Sequence, residues 1–458
     1  MHFLKWLYPG IRLKRWLFLF SLGVVSASMG LAIVFNYQYA GTLEEAIFRM
    51  VYRTTGQYYY AVTTIVGSLI VAAGLGLMLL ATRRIVRSVV EVMIPDGSDS
   101  LIEMIFQKRK LNKGPNVAVI GGGTGLSVLL RGIKGVTSNI TAIVTVADDG
   151  GSSGRLRRER HMIPPGDLRN CLVALADTEP LMEKLFQHRF KGEGDLGGHS
   201  FGNLFLAAMT EVAGDMEQAL KEASKVLAVK GQVLPSTLEE VRLIAQMTDG
   251  SLVEGESAIP KSGKKIRSIR MQPENPAPLA GALEAIAKAD AIVLGPGSLY
   301  TSVIPNLLVD GVADALRQAK AVKIYICNVM TQPGETDGYG ALEHVRAILK
   351  HGGPGIIDYV IVNTQAVAED QKARYADQGA EAVLADAAAI EALGVKVVGA
   401  NIISETDLVR HDPLKLCRTL MGTIYKCKPN PEGVRILDYY LLGNQLKKLQ
   451  KSGSKELE

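Results

Sequence analysis

The stretch NVAVIGGGTGLSVLLRGI, residues 116–133, decides the fold class. Residues 116–120 form a short apolar run that predicts a buried strand, and residues 126–133 form an apolar stretch that predicts a helix. The turn Gly121-Gly122-Gly123-Thr124-Gly125 joins them. Because a strand, a glycine turn and a helix start aim backbone N–H groups at one point, this arrangement favours an anionic phosphate.

Two named nucleotide motifs are incomplete in this turn. The dinucleotide pattern GxGxxG requires glycine at position 126, where the chain has Leu126. The Walker A pattern requires a lysine followed by Ser or Thr, and no lysine follows the turn. The turn therefore predicts phosphate binding without identifying the nucleotide.

A second apolar run, residues 141–146, predicts the next strand of the same sheet. Asp148 follows it, 25 residues after Gly123, where an acidic residue binds a ribose hydroxyl in doubly wound folds. Asp149 and a glycine- and serine-rich stretch come next, a composition that predicts a loop rather than core, and Arg155 would place a cation beside the same crevice. A surface loop without a ligand is the alternative.

Three later polar segments lie between apolar elements and add candidate ligand contacts. Asp167 precedes a helix predicted from residue 168, and capping of that helix is its default role. A strand predicted at 291–294 ends in another glycine-rich turn. The candidate contacts from these segments are Arg169, Asn170, His199, Ser200, Asn203, Gly295, Gly297 and Ser298.

Strands alternate with helices through the rest of the chain. Further strands are predicted at 322–329, 357–362 and 395–402, and a β-hairpin is predicted to turn at Asp249-Gly250. Alternating strands and helices indicate a mostly parallel sheet with helices on both faces. The predicted fold class is therefore α/β and Rossmann-like.

Composition and charge exclude several classes of protein. The 458 residues are 47% hydrophobic and 21% charged, which is typical of a globular chain rather than a disordered one. Residues 1–113 hold 13 Lys and Arg against 6 Asp and Glu, whereas the rest of the chain is slightly acidic. A nucleic-acid binder concentrates basic residues on its folded domain, so no nucleic-acid partner is expected. The four cysteines are far apart, which argues against a disulfide framework or a zinc site.

Two uncharged stretches, 16–35 and 54–82, predict a membrane anchor. About 20 helical residues span the roughly 30 Å of a bilayer core, and the expected helices cover about 16–35 and 58–81. Basic residues precede the first stretch and follow the second, so the positive-inside rule places both termini and the soluble domain in the cytoplasm. A cleaved signal peptide at 1–40 is the alternative reading.

The expected organisation has four parts. These are a two-span membrane anchor at 1–82, a cytoplasmic linker at 83–113, a nucleotide-binding domain at 114–435 and a polar C-terminal tail at 436–458.

Eight segments in this order resemble the gluconeogenesis factor family, a branch of the CofD-like superfamily of 2-phospho-L-lactate transferase. The resemblance covers about residues 114–435, and the N-terminal hairpin is a departure from the soluble members. The matching segments are GGGTGLSVLLRG (121–132), VADDGGSSGRLR (146–157), PPGDLRN (164–170), GHSFGNL (198–204), VLPST (233–237), GPGSLYTSVIPNLLV (295–309), VMTQPGETDGY (329–339) and LVRHDPLKL (408–416).

The resemblance implies a UDP-sugar ligand, notably UDP-N-acetylglucosamine, and a role in cell shape and envelope synthesis during gluconeogenic growth. It also implies a homodimer, with cell-wall synthesis proteins as partners. Carried over by motif, the glycine turn would hold the diphosphate, and Asp148 and Asp149 would approach the ribose or Mg²⁺. Arg410 would meet phosphate or uracil, and Tyr375 would stack on the base.

Two enzymatic alternatives stay open at this point. The superfamily enzyme transfers a phospholactyl group to a deazaflavin alcohol, and the glycine turns with Arg155 could stabilise the phosphates in such a reaction. A nicotinamide-dependent dehydrogenase rests only on the strand–turn–helix opening. The sequence identifies no catalytic residue and no dedicated metal site.

Overall fold

The computed structural model describes residues 14–34, 45–46, 49–50, 52–54, 60–93, 109–177, 180–367, 372, 375–377, 379–404 and 410–427. The chain divides into two compact units, Met1–Arg109 and Lys110–Glu458. The predicted tail at 436–458 and residues 94–108 of the predicted linker lie outside the described residues.

The N-terminal unit contains two long apolar helices, α1 (Lys14–Val34) and α2 (Tyr60–Met93). The segments Arg15–Val34 and Thr64–Ser88 are long and apolar enough to cross a bilayer. Helix α2 continues beyond the predicted end at residue 81 because the residues that follow contain no helix breaker before Pro95. Arg84 of α2 lies over the ring of Trp16 of α1, 5.1 Å from its centroid.

Glycines allow the two helices to pack backbone against backbone. A Cβ added to Gly74 of α2 would lie 2.6 Å from the Ala27 nitrogen and 2.8 Å from the Gly23 carbonyl oxygen of α1. A Cβ added to Gly30 would lie 2.7 Å from the Gly67 carbonyl oxygen. Such contacts of small residues are typical of helix pairs in membranes.

Replacing Gly74 with leucine should therefore separate the helix pair, at a cost of about 1–3 kcal/mol for the overpacked contact. Fluorescence of Trp16 in a Trp6→Phe background reports the pairing, because the Arg84 guanidinium leaves the indole when the helices part. Gly76→Leu is the matched control, since nothing lies within 4 Å of a Cβ at Gly76. Identical emission from the two variants would contradict the glycine-mediated contact.

The second unit is built on a seven-stranded sheet in which every strand pairing is parallel. This confirms the predicted α/β class. Its strands are β1 (Val117–Gly121), β2 (Ile140–Val144), β3 (Gln232–Pro235), β7 (Ala291–Leu294), β8 (Val322–Ile326), β9 (Tyr359–Asn363) and β10 (Lys396–Ala400), in the order β10-β9-β8-β7-β1-β2-β3.

Helices cover this sheet, and the central strands are buried along their whole length. All five residues of β1 and all four of β7 are buried, as expected for a strand with both faces covered. The helices are α3 (Gly123–Ile133), α4 (Gly151–Arg160), α5 (Gly166–Leu175), α6 (Pro180–Gln187), α7 (Phe201–Ala213), α8 (Met216–Val226), α9 (Ala258–Lys261), α10 (Ala280–Lys288), α11 (Ile304–Leu307), α12 (Val312–Gln318), α13 (Ala341–Gly352), α14 (Ala387–Glu391) and α15 (Pro413–Cys427).

The predicted hairpin at Asp249-Gly250 is confirmed. It joins β4 (Arg242–Met247) to β5 (Leu252–Glu254), and Gly250 takes a φ of 86°, which favours glycine. Strand β6 (Ile266–Gln272) pairs with the other edge of β4, so the three strands form a separate antiparallel sheet.

The order of the strands places a crevice beside β1. From β1 the chain proceeds to β2 and β3 on one side, and the later strands β7 to β10 extend on the other side. In open α/β sheets, ligands bind outside the carboxyl ends of strands at such a reversal. The loops after β1 and β7 meet at this point.

Candidate functional site

A cavity of about 250 Å³ lies at the reversal of strand order. The glycine turn after β1, the loop after β7 and the loop after β8 form most of its wall. We call it the switch-point cavity, and its lining residues are Gly122, Gly123, Thr124, Gly125, Val128, Pro296, Gly297, Ser298, Ser302, Asn328, Val329, Met330, Thr331, Gln332, Tyr375, Arg410 and His411.

The turn after β1 needs glycine because other atoms crowd it. Gly123 has a φ of 68°, and a Cβ at Gly125 would lie 2.8 Å from the Pro296 carbonyl oxygen. Helix α3 begins at Gly123 without a side-chain cap. The first-turn N–H groups of a helix have no partner within the helix, so this end attracts an anion.

A polar network holds the loop after β7 in place. Gln332 donates from Nε2 to Ser298 Oγ over 2.8 Å, and Asn328 donates from Nδ2 to the Gly297 carbonyl over 2.9 Å. The buried carboxyl of Glu335 accepts a hydrogen bond from Thr301 Oγ1 over 2.6 Å. Burial raises the pKa of Glu335. These bonds hold the loop as one wall of the cavity.

The charge of the switch-point cavity is positive. Arg410 is the charged side chain among the lining residues that the structure describes, and none of those residues is acidic. Because the first turn of α3 also lines it, the cavity is suited to an anionic ligand.

A second cavity, of about 230 Å³, lies on the other side of the glycine turn. We call it the polar chamber. A Cβ added to Gly122 would lie 2.6 Å from the Asp167 Oδ2 atom, so Gly122 separates the two cavities. The chamber is lined by Asp148, Gly150, Gly151, Ser152, Ser153, Gly166, Asp167, Arg169, Asn170, Arg189 and Asn203.

A directed chain of hydrogen bonds lies behind the polar chamber. Arg169 donates from Nη1 to Asn203 Oδ1 over 2.9 Å, which orients the amide so that its Nδ2 donates to Ser152 Oγ over 3.0 Å. Ser152 Oγ and His199 Nδ1 share a further hydrogen bond of 2.9 Å, in which Ser152 is the donor when the proton of the neutral ring is on Nε2. Burial lowers the pKa of His199, consistent with a neutral ring that accepts this bond.

Carboxyl groups crowd the chamber, and their protonation is shifted. Burial, followed by the charge of Asp148, raises the pKa of Asp167 to about 7, although the Gly123 N–H opposes the shift by donating to this carboxyl. Burial and the charges of Asp148, Asp149 and Asp167 raise the pKa of Glu256 to about 8. Perturbed carboxyls of this kind are typical of functional sites, though ion networks also produce them.

The structure divides the predicted site residues between the two cavities. Gly122, Gly123, Thr124, Gly125, Gly297, Ser298, Tyr375 and Arg410 line the switch-point cavity, while Asp148, Asp167, Arg169, Asn170 and Asn203 line the polar chamber.

Six predicted residues line neither cavity. Gly121 and Gly295 are buried at the ends of β1 and β7, and Ser200 and His199 are buried near the chamber. Asp149 accepts a hydrogen bond from the Ser257 N–H, and Arg155 donates to the Gly197 carbonyl.

Two local predictions are wrong. Asp167 does not cap α5, because the helix begins one residue earlier at Gly166 and Pro165 occupies the cap position. The glycine- and serine-rich stretch after Asp149 forms helix α4 rather than a loop, because Ser152 and Ser153 are buried and receive hydrogen bonds from Asn203.

Several lining residues were not predicted from the sequence. Asn328, Thr331 and Gln332 follow β8, and their position after an apolar strand was an available signal. Ser152, Ser153 and His411 lie in segments that match the family, which was an available signal, whereas Arg189 of the polar chamber had none.

Comparison with known proteins identifies the second unit. Residues 117–403 match the family described as 2-phospho-L-lactate transferase CofD. The gluconeogenesis factor of Bacillus subtilis is 50% identical over 315 residues, which cover 69% of this chain and 99% of that protein.

The N-terminal unit is shared with some of these relatives. A protein from a Nostoc species is 49% identical over 425 residues, which cover 91% of each chain. A match of this length must include part of residues 1–109, whereas the Bacillus subtilis match covers only 69% of this chain.

A solved structure agrees with the fold. The crystal structure of a Bacillus halodurans protein has a TM-score of 0.66 and 54% sequence identity, and it covers 68% of this chain and 100% of its own.

Proposed function

The chain belongs to the CofD family, with relatives named gluconeogenesis factor, and from that premise we propose that its switch-point cavity binds a UDP-sugar. UDP-N-acetylglucosamine is the ligand that we favour. The protein would act as a membrane-anchored regulator that links carbon supply to cell shape and envelope synthesis, with cell-wall synthesis proteins as partners and a homodimer as its assembly.

The observation that carries this proposal is the character of the switch-point cavity. It combines the first turn of α3, the hydroxyls of Thr124 and Ser298 and the guanidinium of Arg410, with no acidic side chain among the described lining residues. These groups suit a diphosphate, and Tyr375 adds a ring for a nucleobase. The described residues contain no cluster of three or more His, Cys, Asp or Glu side chains suited to a metal, so Mg²⁺ would arrive with the ligand phosphates.

The two apolar helices support the membrane part of the proposal. Both are long enough to cross a bilayer, and Lys14, Arg15, Arg83, Arg84 and Arg87 lie near the ends that the Trp16–Arg84 contact brings together. Basic residues at one end of a hairpin favour a cytoplasmic location of that end. We therefore propose a cytoplasmic second unit tethered to the membrane.

Calorimetric titration of the full chain in detergent with UDP-N-acetylglucosamine, GDP and NAD tests the ligand. Thr124→Val should weaken UDP-sugar binding about 10–100-fold, because it removes a hydroxyl facing a charged phosphate. Thr124 is exposed, so the fold should be unaffected. Thr124→Ser, which keeps the hydroxyl, is the matched control, and absence of binding to any uridine nucleotide would overturn the proposal.

The polar chamber favours a second candidate, a transferase related to the superfamily enzyme. Its Ser152–His199 hydrogen bond, with the carboxyls of Asp148 and Asp167 close by, offers groups for proton transfer next to a phosphate cavity. In such a reaction the alcohol oxygen of a deazaflavin would bond to the phospholactyl group of the donor. A nucleoside phosphate would be the leaving group. Deazaflavin-dependent product formation by the full chain distinguishes this candidate from a regulator.

A further inference from the structure

His411 is a half-buried residue of the switch-point cavity, and both of its ring nitrogens are buried without hydrogen-bond partners. It lines the cavity beside Arg410, and neither Nδ1 nor Nε2 bonds to any described residue. Buried polar groups in native proteins are almost always hydrogen-bonded, and leaving one without a partner costs about 1–3 kcal/mol. Two such atoms on one ring therefore require an explanation.

The backbone holds this side chain at a fixed place. His411 pairs with Ile403 in an antiparallel bridge, and the Asp412 N–H donates to the Ile402 carbonyl over 2.8 Å. The Asp412 carboxylate then accepts the Lys415 N–H over 2.7 Å and caps helix α15. These bonds fix the backbone of residues 411 and 412 beside the cavity.

Three other histidines of the described residues each have at least one hydrogen-bond partner, although His344 Nε2 also lacks one. His351 accepts from the Ile269 N–H over 3.1 Å, and His199 bonds to Ser152. His344 donates from Nδ1 to the Gly340 carbonyl over 2.8 Å. His411 differs because both of its ring nitrogens lack partners and because the residue lines the switch-point cavity.

The neutral form of the ring determines what it can bind. Burial lowers the pKa of His411 to about 4, so the ring is neutral at pH 7 and has one N–H donor and one acceptor nitrogen. A phosphate oxygen matches the donor and a sugar hydroxyl matches the acceptor. A ligand that carries both groups side by side satisfies both ring nitrogens.

We infer that His411 contacts the ligand directly and selects a phosphate attached to a hydroxyl-bearing sugar, donating to the phosphate and accepting from the hydroxyl. This inference rests on the proposed nucleotide-sugar function of the same cavity. It assigns His411 a specificity role rather than a role in the fold.

The test is titration of the full chain in detergent with UDP-N-acetylglucosamine, GDP and NAD, alongside thermal unfolding without ligand. His411→Leu should lose about 10–100-fold in affinity for the nucleotide that the wild type binds. The ligand-free variant should unfold at the same or a higher temperature, because buried polar atoms without partners have been removed. His411→Gln, which keeps a donor and an acceptor, should retain affinity within about fivefold.

The outcomes separate this inference from the proposed function. His188→Leu changes an exposed histidine that lines neither cavity and is the control for loss of an imidazole. Unchanged affinity in His411→Leu, or a lower unfolding temperature together with lost binding, overturns the inference alone. Absence of binding by the wild type overturns the proposed function and this inference with it.

Discussion

Replacing Gly125 with alanine is expected to reduce nucleotide affinity at least about 100-fold, or about 2.8 kcal/mol. The added Cβ would lie 2.8 Å from the Pro296 carbonyl oxygen and 3.1 Å from the Gly297 Cα. Both are backbone atoms of the opposite wall, so neither can rotate away as a side chain would. The turn after β1 and the loop after β7 must therefore move apart. The hydrogen-bond donors on these two walls can then no longer contact the same phosphate group.

Calorimetric titration and thermal unfolding of the full chain measure this effect. The overpacked contact should also lower the free energy of unfolding by about 1–3 kcal/mol. Gly281→Ala is the matched control, because a Cβ there meets only Leu234 Cδ1 at 3.4 Å, an ordinary contact. Wild-type affinity in Gly125→Ala would show that the two walls do not act together on the ligand.

The free energy of unfolding of the wild type is expected to fall as pH rises, and replacing Asp167 with asparagine is expected to make this fall much smaller. The carboxyl has a pKa of 3.8 when exposed and about 7 in the folded protein. Between these values the folded state holds a proton that the unfolded state has released. The stability contributed by this group is complete below about pH 4 and is lost as pH rises through 7.

The expected decrease in the free energy of unfolding that is due to Asp167 is on the order of 2–4 kcal/mol between pH 4 and pH 8. Chemical unfolding of the wild type and Asp167→Asn at several pH values measures it, and the variant should show a flatter profile. Because the pKa of Glu256 is also raised, to about 8, some decline should remain. Asp310→Asn, at an exposed site outside both cavities, is the control, and parallel profiles for wild type and Asp167→Asn would contradict the buried neutral carboxyl.

Much of the fold could be predicted from local sequence. The apolar runs of β1, β2, β7 and β8 gave strands within a few residues of their observed bounds, because burial on both faces requires continuous apolar residues. The hairpin at Asp249-Gly250 was also visible, since two turn residues between apolar arms specify it locally.

Predictions failed where distant residues decide local structure. The glycine- and serine-rich residues 150–154 have low helix propensity, yet α4 forms there because Asn203, about 50 residues away in the chain, bonds to Ser152 and Ser153. Asp167 has the sequence position of a helix cap, but its carboxyl instead accepts the Gly123 N–H. A short sequence window contains neither partner.

The sequence by itself determined that this is a parallel α/β protein with a phosphate-type glycine turn and two apolar N-terminal helices. These features follow from hydrophobic periodicity, glycine spacing and charge, which can be read from short stretches of sequence. The tertiary structure alone decided that the polar residues form two cavities on either side of Gly122, with Asp148 and Asp167 in one and Arg410 and His411 in the other. That division depends on which loops the sheet order brings together, and chain segments separated by up to about 290 residues meet there only after the strands have paired.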